Sequence, residues 1–486
     1  MRLADRLALG VALLLGVLSV VISDPERGAW LFRGVFVQDA DEVIRAWYGR
    51  CAFDNPQIIP FSHLSMPGWT FVLALGEAVA RALGLPLTLM GRLTTVVFFW
   101  AALRHAAAWL RAVGASESRA ALAVAVLATS PGVFLMALTV YPEIALLALT
   151  LGGLRYLAEG RPLAAALTLG WAPLVRWEGA LLLGLLLLVL FVQRAPWTAR
   201  LAALGPYLVY LASVAWRFGN PWTPLAWRTT KAMGAWRLWN PDLAPGALSE
   251  ALVHLATLFS PLLLVGALPW VPWILGRCLS RAPLALRNRR QLPLALAYAG
   301  LTVTLFSIQH DYMVYPLRVF AVPAALGAVL WLAQPGRVVP VVVVLAAAFT
   351  TGTGWRFVAD RQLPEPGAGL ETLGFHTFVR HADATPLLTR LVEERQGWLL
   401  VNHMNANLLR ADDDCRLLER DLWIGGPDLS LSRDFRPTFG TPPGPGQIVF
   451  HALPFGVNHC VAESATHVPG QSVFRCPDGA TPTSAP

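Results

Sequence analysis

The sequence predicts an all-α polytopic membrane protein of about eleven transmembrane helices, followed by a small α/β C-terminal domain. Hydrophobic residues make up 55% of the 486 residues and charged residues only 14%, against roughly 25% charged in soluble domains. Apolar stretches that approach the roughly 20 residues needed to cross a bilayer recur along the chain. They stop near Asp360, where charge, proline and glycine increase.

The predicted spans are separated by short loops. The first covers residues 7–23 and is flanked by Arg2 and Arg6. We interpret it as a retained anchor, because no convincing small-residue cleavage site follows it. Further apolar stretches cover residues 87–103, 119–137, 143–158, 162–175, 179–193, 200–217, 250–276, 293–308, 316–332 and 338–349. The stretches at 162–175 and 179–193 are short for a full crossing.

Arginine-rich loops predict the orientation of these spans. If the spans alternate in direction, the clusters all fall on one side: Arg104, Arg111 and Arg119; Arg155 and Arg161; Arg194 and Arg200; Arg277, Arg281, Arg287, Arg289 and Arg290; and Arg337. Such loops face the cytoplasm in most membrane proteins. We therefore expect a multi-pass protein of the plasma membrane, with a cytoplasmic N-terminus and an extracytoplasmic C-terminal domain. The net charge of +8 is then a topology signal and does not indicate nucleic-acid binding.

One further apolar segment, residues 67–83, decides the count. As a full span it would reverse the side of every later arginine loop. We therefore interpret it as a juxtamembrane or re-entrant helix. Glu77 and Arg81, four residues apart, fit the polar face of an interfacial helix.

This topology gathers the unusual polar residues on the outer side. The first outer loop carries Asp39, Asp41 and Glu42, and further on His63. The remaining outer turns carry Tyr141 and Glu143; Arg176 and Glu178; Arg228, Lys231 and Arg237 among four tryptophans; and His310, Tyr312 and Arg318. A single outer charge is usually only solvated, and tryptophans at membrane ends are commonly anchors. Convergence of several turns on one side favours a functional site.

Carboxylates and cations gathered on one face suit the transfer of a group from a lipid phosphate to a hydroxyl. A carboxylate can accept the proton of an acceptor hydroxyl, and arginine or lysine can stabilise the phosphate that leaves. The candidates for the phosphate are Arg176, Arg228, Lys231 and Arg318, of which Lys231 is the only lysine in the chain. The apolar lipid tail stays in the bilayer, so such a site must lie at the membrane surface.

Three motifs resemble the GT-C glycosyltransferases, integral membrane enzymes that use lipid-phosphate sugars. Gln38-Asp39-Ala40-Asp41-Glu42 after the first span is similar to the family's Asp-Glu or Asp-x-Asp loop. Residues 61–69, with His63 and Pro67, look like its juxtamembrane segment. Ser130-Pro131 followed by Tyr141-Pro142-Glu143, and then Arg176-Trp177-Glu178 at the next outer turn, also recur in these enzymes. The resemblance runs to about Arg318, and it is nearest to the protein mannosyltransferase and aminoarabinose transferase type.

The resemblance implies a GT-C-like catalytic domain over residues 1–357, with the outer C-terminal domain at 358–486. It implies a hexosyl- or pentosyltransferase of cell-envelope glycan biosynthesis, with a first-loop acid as general base. Asp41 and Asp39 both match the motif, with Glu42 beside them. The substrate-binding candidates are His63, Tyr141, Glu143, Arg176, Glu178, Arg228, Lys231, His310, Tyr312 and Arg318. The expected partners are membrane lipid, a polyprenyl-phosphate sugar and an acceptor that is a protein, a lipid or a glycan.

The sequence contains no Walker loop and no dinucleotide fingerprint, so a nucleotide-sugar donor is not indicated. We predict no dedicated metal site, although a divalent metal remains an open alternative. Two other functions stay open. A lipid or glycan transporter should carry its polar groups near the middle of its spans, and a ligase-type transferase that joins a preassembled glycan would share the fold and the outer face.

The segment after Asp360 has the character of a small separate domain. Residues 397–401 and 447–450 are predicted strands, and 385–395 a helix. Cys415, Cys460 and Cys476 lie in this segment, where an outer, oxidising compartment would permit a disulfide. Cys460 with Cys476 closes the shorter loop, but the pairing stays open. A zinc site at His459 and Cys460 is the rival interpretation, disfavoured because Cys-x-x-Cys spacing is missing.

Overall fold

The structure is a computed structural model. It describes residues 1–23, 38–39, 42, 45–46, 49–50, 52, 66–86, 88–218, 221, 286–308, 321–335, 339–348 and 352, together with seven strand segments between 371 and 475.

Helices make up most of the described N-terminal part. They are α1 (Leu3–Ser23), α2 (Pro67–Ala82), α3 (Leu89–Ala112), α4 (Glu117–Thr129), α5 (Pro131–Ala137), α6 (Pro142–Ala158), α7 (Pro162–Leu169), α8 (Ala172–Val175), α9 (Gly179–Val192), α10 (Trp197–Phe218), α11 (Leu286–Ile308), α12 (Ala321–Leu332) and α13 (Val339–Ala348).

Several of these helices can cross a bilayer. Helices α1 and α3, and residues Trp197–Trp216 of α10, are long and apolar enough to do so, and α4 and α5 form one bent pair with a 72° angle between them. The bend falls at Ser130–Pro131, because a proline ring clashes with the helix that precedes it. The chain is therefore a multi-pass membrane protein. The predicted count of about eleven includes residues 250–276, which lie outside the described residues.

Contacts between helices define two ends of the bundle. At one end, called the site end, Ser23 of α1 lies 3.1 Å from Arg92 of α3, and Arg176 pairs with Glu143 of α6. The other end, called the far end, holds the arginine loops: Arg111 pairs with Asp5 (3.0 Å), Arg119 donates to the carbonyls of Leu332 and Gln334, and Arg290 donates to the carbonyl of Ala112. Successive spans thus alternate as the loop arginines predicted. Which end faces the cytoplasm stays a prediction.

Helix α2 packs along the site-end half of α3. Gly68 at its start lies against Leu174, and Trp69 stacks edge-on to Phe98. Near its other end, Glu77 accepts a hydrogen bond from the backbone N–H of Gly91. These contacts agree with a helix that does not cross the membrane. The expectation of an exposed polar face at Glu77 was wrong, because Glu77 is completely buried.

Helix α6 lies at the centre of the bundle, and all but a few of its residues are buried. Small residues make this close packing feasible. A Cβ on Gly153 would lie 2.6 Å from the Cβ of Leu169 in α7, so any side chain at this position would push the two helices apart. The central helix therefore holds its first turn, with Tyr141 and Glu143, in a fixed place at the site end.

The C-terminal segment contributes strands. The described ones are β2 (Glu371–Thr372), β3 (Thr377–Val379), β4 (Leu399–Asn402), β5 (Leu422–Gly425), β6 (Ile448–His451), β7 (Val461–Ala465) and β8 (Ser472–Arg475), after β1 (Gln38–Asp39) in the first loop. Strands β4 and β6 lie where strands were predicted. The predicted helix at 385–395 and all three cysteines of this segment lie outside the described residues.

These strands form two sheets. The larger has the order β5-β4-β6-β8-β7, with β4 parallel to both neighbours and the remaining pairs antiparallel. The smaller has the order β1-β3-β2. In it Gln38 lies opposite Val379 and Asp39 opposite Phe378, so the C-terminal segment pairs with the backbone of the acidic first loop.

Candidate functional site

A buried ion pair fixes the first loop to the bundle. Arg92, one turn into α3, donates from Nε and Nη2 to the two carboxylate oxygens of Glu42, at 2.6 and 2.9 Å. Its Nη1 donates to Ser23 Oγ at 3.1 Å. Arg92 and Glu42 are each 1% exposed. Paired arginine and carboxylate planes give strong, directional hydrogen bonds, so this contact joins the loop, α1 and α3 at one point.

A second cation of the first loop meets the central helix. The guanidinium carbon of Arg45 lies 4.5 Å from the centre of the Tyr141 ring, and both side chains are buried. An arginine over an aromatic face is attracted by the ring quadrupole, and more strongly where water is excluded. Tyr141 precedes α6, so this contact aligns the loop with the start of the central helix.

The turn between α8 and α9 carries a charged triad. Arg176 donates from Nη1 to Glu143 Oε1 (2.5 Å), and from Nε and Nη2 to the two oxygens of Glu178 (2.9 Å each). The chain turns here because Arg176 is extended and Gly179 follows at once. A Cβ on Gly179 would lie 2.1 Å from the backbone of Ala172, so only glycine fits.

A further buried pair holds α2. Arg50 donates to Glu77 Oε2 at 3.2 Å and to the carbonyl of Leu85 at 3.1 Å. The other oxygen of Glu77 accepts from Gly91 N–H at 3.3 Å, at the N-terminus of α3. Burial raises the pKa of Glu77 to about 7, while the Arg50 guanidinium and the backbone N–H of Gly91 oppose that shift.

These separate contacts place four guanidinium groups and four carboxylates at the site end, and together they are called the charged network. Its members are Arg45, Arg50, Arg92 and Arg176, with Glu42, Glu77, Glu143 and Glu178. Such a network costs desolvation energy and is weak evidence of stabilisation by itself. Ionisable residues buried at the end of membrane helices are instead typical of functional sites. The network can hold loops and orient a reacting group.

The structure brings together part of the predicted site. Tyr141, Glu143, Arg176 and Glu178 converge at the site end with Glu42, and the backbone of Asp39 lies in β1. The geometry favours a positioning role for Glu42 over proton transfer, because both of its oxygens contact Arg92. The other predicted residues lie outside the described residues: Asp41, His63, Arg228, Lys231, His310, Tyr312 and Arg318.

Sequence reasoning overlooked Arg45, Arg50 and Arg92, and the partnership of Arg50 with Glu77. A signal existed for Arg92, since it is a lone arginine near the start of an apolar stretch, where a charge needs a partner. In the described part of the chain, no three histidine, cysteine or acidic side chains come close enough to hold a metal ion.

No protein-family model matches this chain, and no curated protein does. Among solved structures, the chain is similar to ArnT from Cupriavidus metallidurans bound to undecaprenyl phosphate, with a TM-score of 0.40 and 13% sequence identity. It is also similar to ArnT from the same organism in the apo state, with a TM-score of 0.38 and 12% identity. Each match covers 96% of this chain and 97% of the other.

Proposed function

We propose that this chain is an integral membrane glycosyltransferase. It moves a hexose or pentose from a polyprenyl-phosphate donor to an acceptor on the extracytoplasmic face, with Asp39 or Asp41 as the general base. The observation that carries the proposal is the buried charged network at one end of the bundle, directly after the acidic cluster of the first loop.

The position of the network supports catalysis over transport. A transporter that moves a polar substrate needs polar groups near the middle of the membrane. The buried charges described above lie instead at helix ends and turns, where a lipid-linked phosphate and a polar acceptor would meet. A site from which the surrounding packing excludes water would also strengthen electrostatic contacts with a reacting phosphate.

The proposed roles follow from the chemistry of each group. A first-loop aspartate takes the proton from the acceptor hydroxyl as the new bond to the anomeric carbon forms, and the polyprenyl phosphate leaves with the electron pair. Arg176 already faces two carboxylates, so the leaving phosphate is assigned first to Arg228, Lys231 and Arg318. Arg176 then acts by orienting Glu143 and Glu178.

The proposal is tested by replacing each candidate base. Asp39→Asn and Asp41→Asn keep size and polarity but remove the basic oxygen. We expect one variant to lose at least about a hundredfold in turnover, within the range typical for a lost general base, and the other to lose much less. The measurement is transfer of radiolabelled sugar from a polyprenyl phosphate by purified protein, with and without a chelator.

Asp5→Asn is the matched control, because it removes a carboxylate at the far end. It should keep wild-type turnover. Near-wild-type turnover in both first-loop variants would contradict the assignment of the base. Movement of intact lipid-linked glycan across vesicles, without cleavage of the sugar phosphate bond, would favour a transporter instead.

A further inference from the structure

The acidic cluster runs directly into a buried strip of the first loop. Residues Glu42, Arg45, Ala46, Gly49 and Arg50 are helical and buried. Their spacing of three and four residues marks one face of a helix. This face is polar at both ends, with a carboxylate at position 42 and a guanidinium at position 50, and its small residues lie between them.

Two ion pairs hold this strip in place, and the strip contributes the carboxylate to one and the guanidinium to the other. Glu42 meets a cation of α3, and Arg50 meets an anion of α2. The two loop residues are eight positions apart in the sequence. If the strip slid by one turn, both pairs would break, so the charges define a single register. Gly49 tightens the fit, because a Cβ there would lie 2.8 Å from the Cβ of Leu73.

We propose that Arg92 is a positioning residue for the general base. It holds Glu42, and thereby the acidic first loop to which Asp39 belongs, in a fixed position against α1 and α3. Arg92 is 1% exposed and three of its nitrogens contact protein groups, so it acts through the loop and not on the substrate. The inference rests on the proposed function, which assigns the base to this loop.

The chain offers a matched control for Arg92 on the same helix. Arg111, near the far end of α3, also donates two hydrogen bonds to one carboxylate of α1, Asp5, at 3.0 and 3.3 Å. Each arginine therefore joins α3 to a carboxylate and to α1. Only Arg92 makes this connection through the acidic loop. Because the Arg92 pair is more deeply buried, a purely structural role predicts a larger loss of thermal stability at Arg92 with kcat of the folded protein unchanged, whereas a positioning role predicts a loss of kcat.

The experiment compares Arg92→Gln, Arg92→Lys, Glu42→Gln and Arg111→Gln as purified full-length proteins. For the first and third variants we expect kcat to fall about tenfold to a hundredfold with KM changed less than about threefold, since a displacement near 1 Å can cost a hundredfold in rate. Arg92→Lys keeps the charge but cannot form the paired contact, so it should fall between wild type and Arg92→Gln. Arg111→Gln should keep wild-type kcat.

Hydrogen–deuterium exchange of the peptide covering residues 38–50 supplies a second readout that needs no activity. Faster exchange in Arg92→Gln than in Arg111→Gln supports the clamp, even if the wild-type protein transfers no sugar and the proposed function fails. Wild-type kcat in folded Arg92→Gln and Glu42→Gln overturns the positioning role. Unchanged exchange in residues 38–50 overturns the clamp itself, and if Arg92→Gln does not fold, Glu42→Gln and Arg92→Lys decide between these outcomes.

Discussion

The two ends of the helix pair α1 and α3 are held by the same kind of contact in opposite surroundings. At the site end Arg92 and Glu42 are each 1% exposed, whereas at the far end Arg111 and Asp5 are 16% and 19% exposed. The half-buried pair can exchange part of its contacts for water, so removing one partner should cost less there than at the buried pair. The buried pair has no such exchange. Burial therefore distinguishes the Arg111–Asp5 pair, which joins two helices, from the Arg92–Glu42 pair, which fixes the first loop.

The same contrast extends over the bundle. At the far end, Arg155 with Glu159 and Arg161 with Glu159 are at least one quarter exposed. Cations in such loops set the orientation of spans and need no particular geometry. At the site end, buried carboxylates face guanidinium groups from other segments. The charges at the far end therefore lie in partly exposed pairs, whereas those at the site end hold separate segments together in buried pairs.

The largest effect is expected at the turn that carries Arg176. In Gly179→Ala, the added Cβ would lie 2.1 Å from the backbone of Ala172. Backbone atoms cannot move aside as a flexible side chain can, so the turn must open and the charged triad must separate. We expect most of the protein to be lost as aggregate, measured by size-exclusion chromatography in detergent.

Gly184→Ala in the same helix is the control. Nothing lies within 4 Å of its would-be Cβ, and alanine in a helix is favoured over glycine by about 1 kcal/mol. This variant should be as monodisperse as wild type. A Gly179→Ala protein that is equally well folded would contradict the tight turn, and with it the geometry of the triad.

An intermediate effect is expected of Arg176→Gln. It leaves Glu143 and Glu178, both almost completely buried, without the guanidinium between them. Removing one partner of a buried pair typically costs about 3–5 kcal/mol. We expect an apparent Tm lower by several degrees, and a loss of at least about tenfold in sugar transfer. Differential scanning fluorimetry and the transfer assay measure the two.

Arg155→Gln at the far end breaks a comparable contact with Glu159 at 2.7 Å, in a partly exposed place. Its effect should stay within about 1 kcal/mol, with unchanged transfer. Equal effects of Arg176→Gln and Arg155→Gln on Tm and on sugar transfer would contradict the distinction between the two ends.

The smallest perturbation is expected of two cysteine substitutions, which test the end of the bundle that faces the cytoplasm. Leu83→Cys follows α2 at the site end, and Ser118→Cys lies in α4 at the far end; both positions are exposed. A membrane-impermeant maleimide added to intact cells should label the first above the level of the parent protein, and the second only after lysis. Labelling of Ser118→Cys in intact cells would reverse the predicted orientation.

The sequence predicted those features of the fold that depend on residues close to one another along the chain. Among the described residues, three predicted apolar stretches lie in helices long enough to cross a bilayer, and a fourth, which contains Ser130–Pro131, forms the pair bent by 72°. Residues 67–83 form a helix at the site end, as the arginine loops required. The division of residues 162–175 into α7 and α8 was not predicted, because hydropathy does not report a local break in an apolar run.

The site was predicted only in part. Turn residues such as Glu143 and Arg176 stood out because charges beside apolar runs need an explanation. Their partners did not, since Arg92 and Glu42 are 50 positions apart and Arg176 and Glu143 are 33 apart. One sequence contains no information on which distant charges meet. Arg176 was a predicted phosphate ligand, and the sequence did not show that Glu143 and Glu178 both contact it.

The pairing of β1 with β3 has a consequence for the life of the nascent chain. Gln38 meets Val379, so the ribosome adds roughly 340 residues, in about 17–70 s at 5–20 residues per second, before the partner strand exists. Until then neither edge of β1 has a strand partner, and β3 later covers one of them. The first loop is therefore synthesised early but gains its strand partner late. A chain released before residue 377 would carry the ion-paired loop without β3.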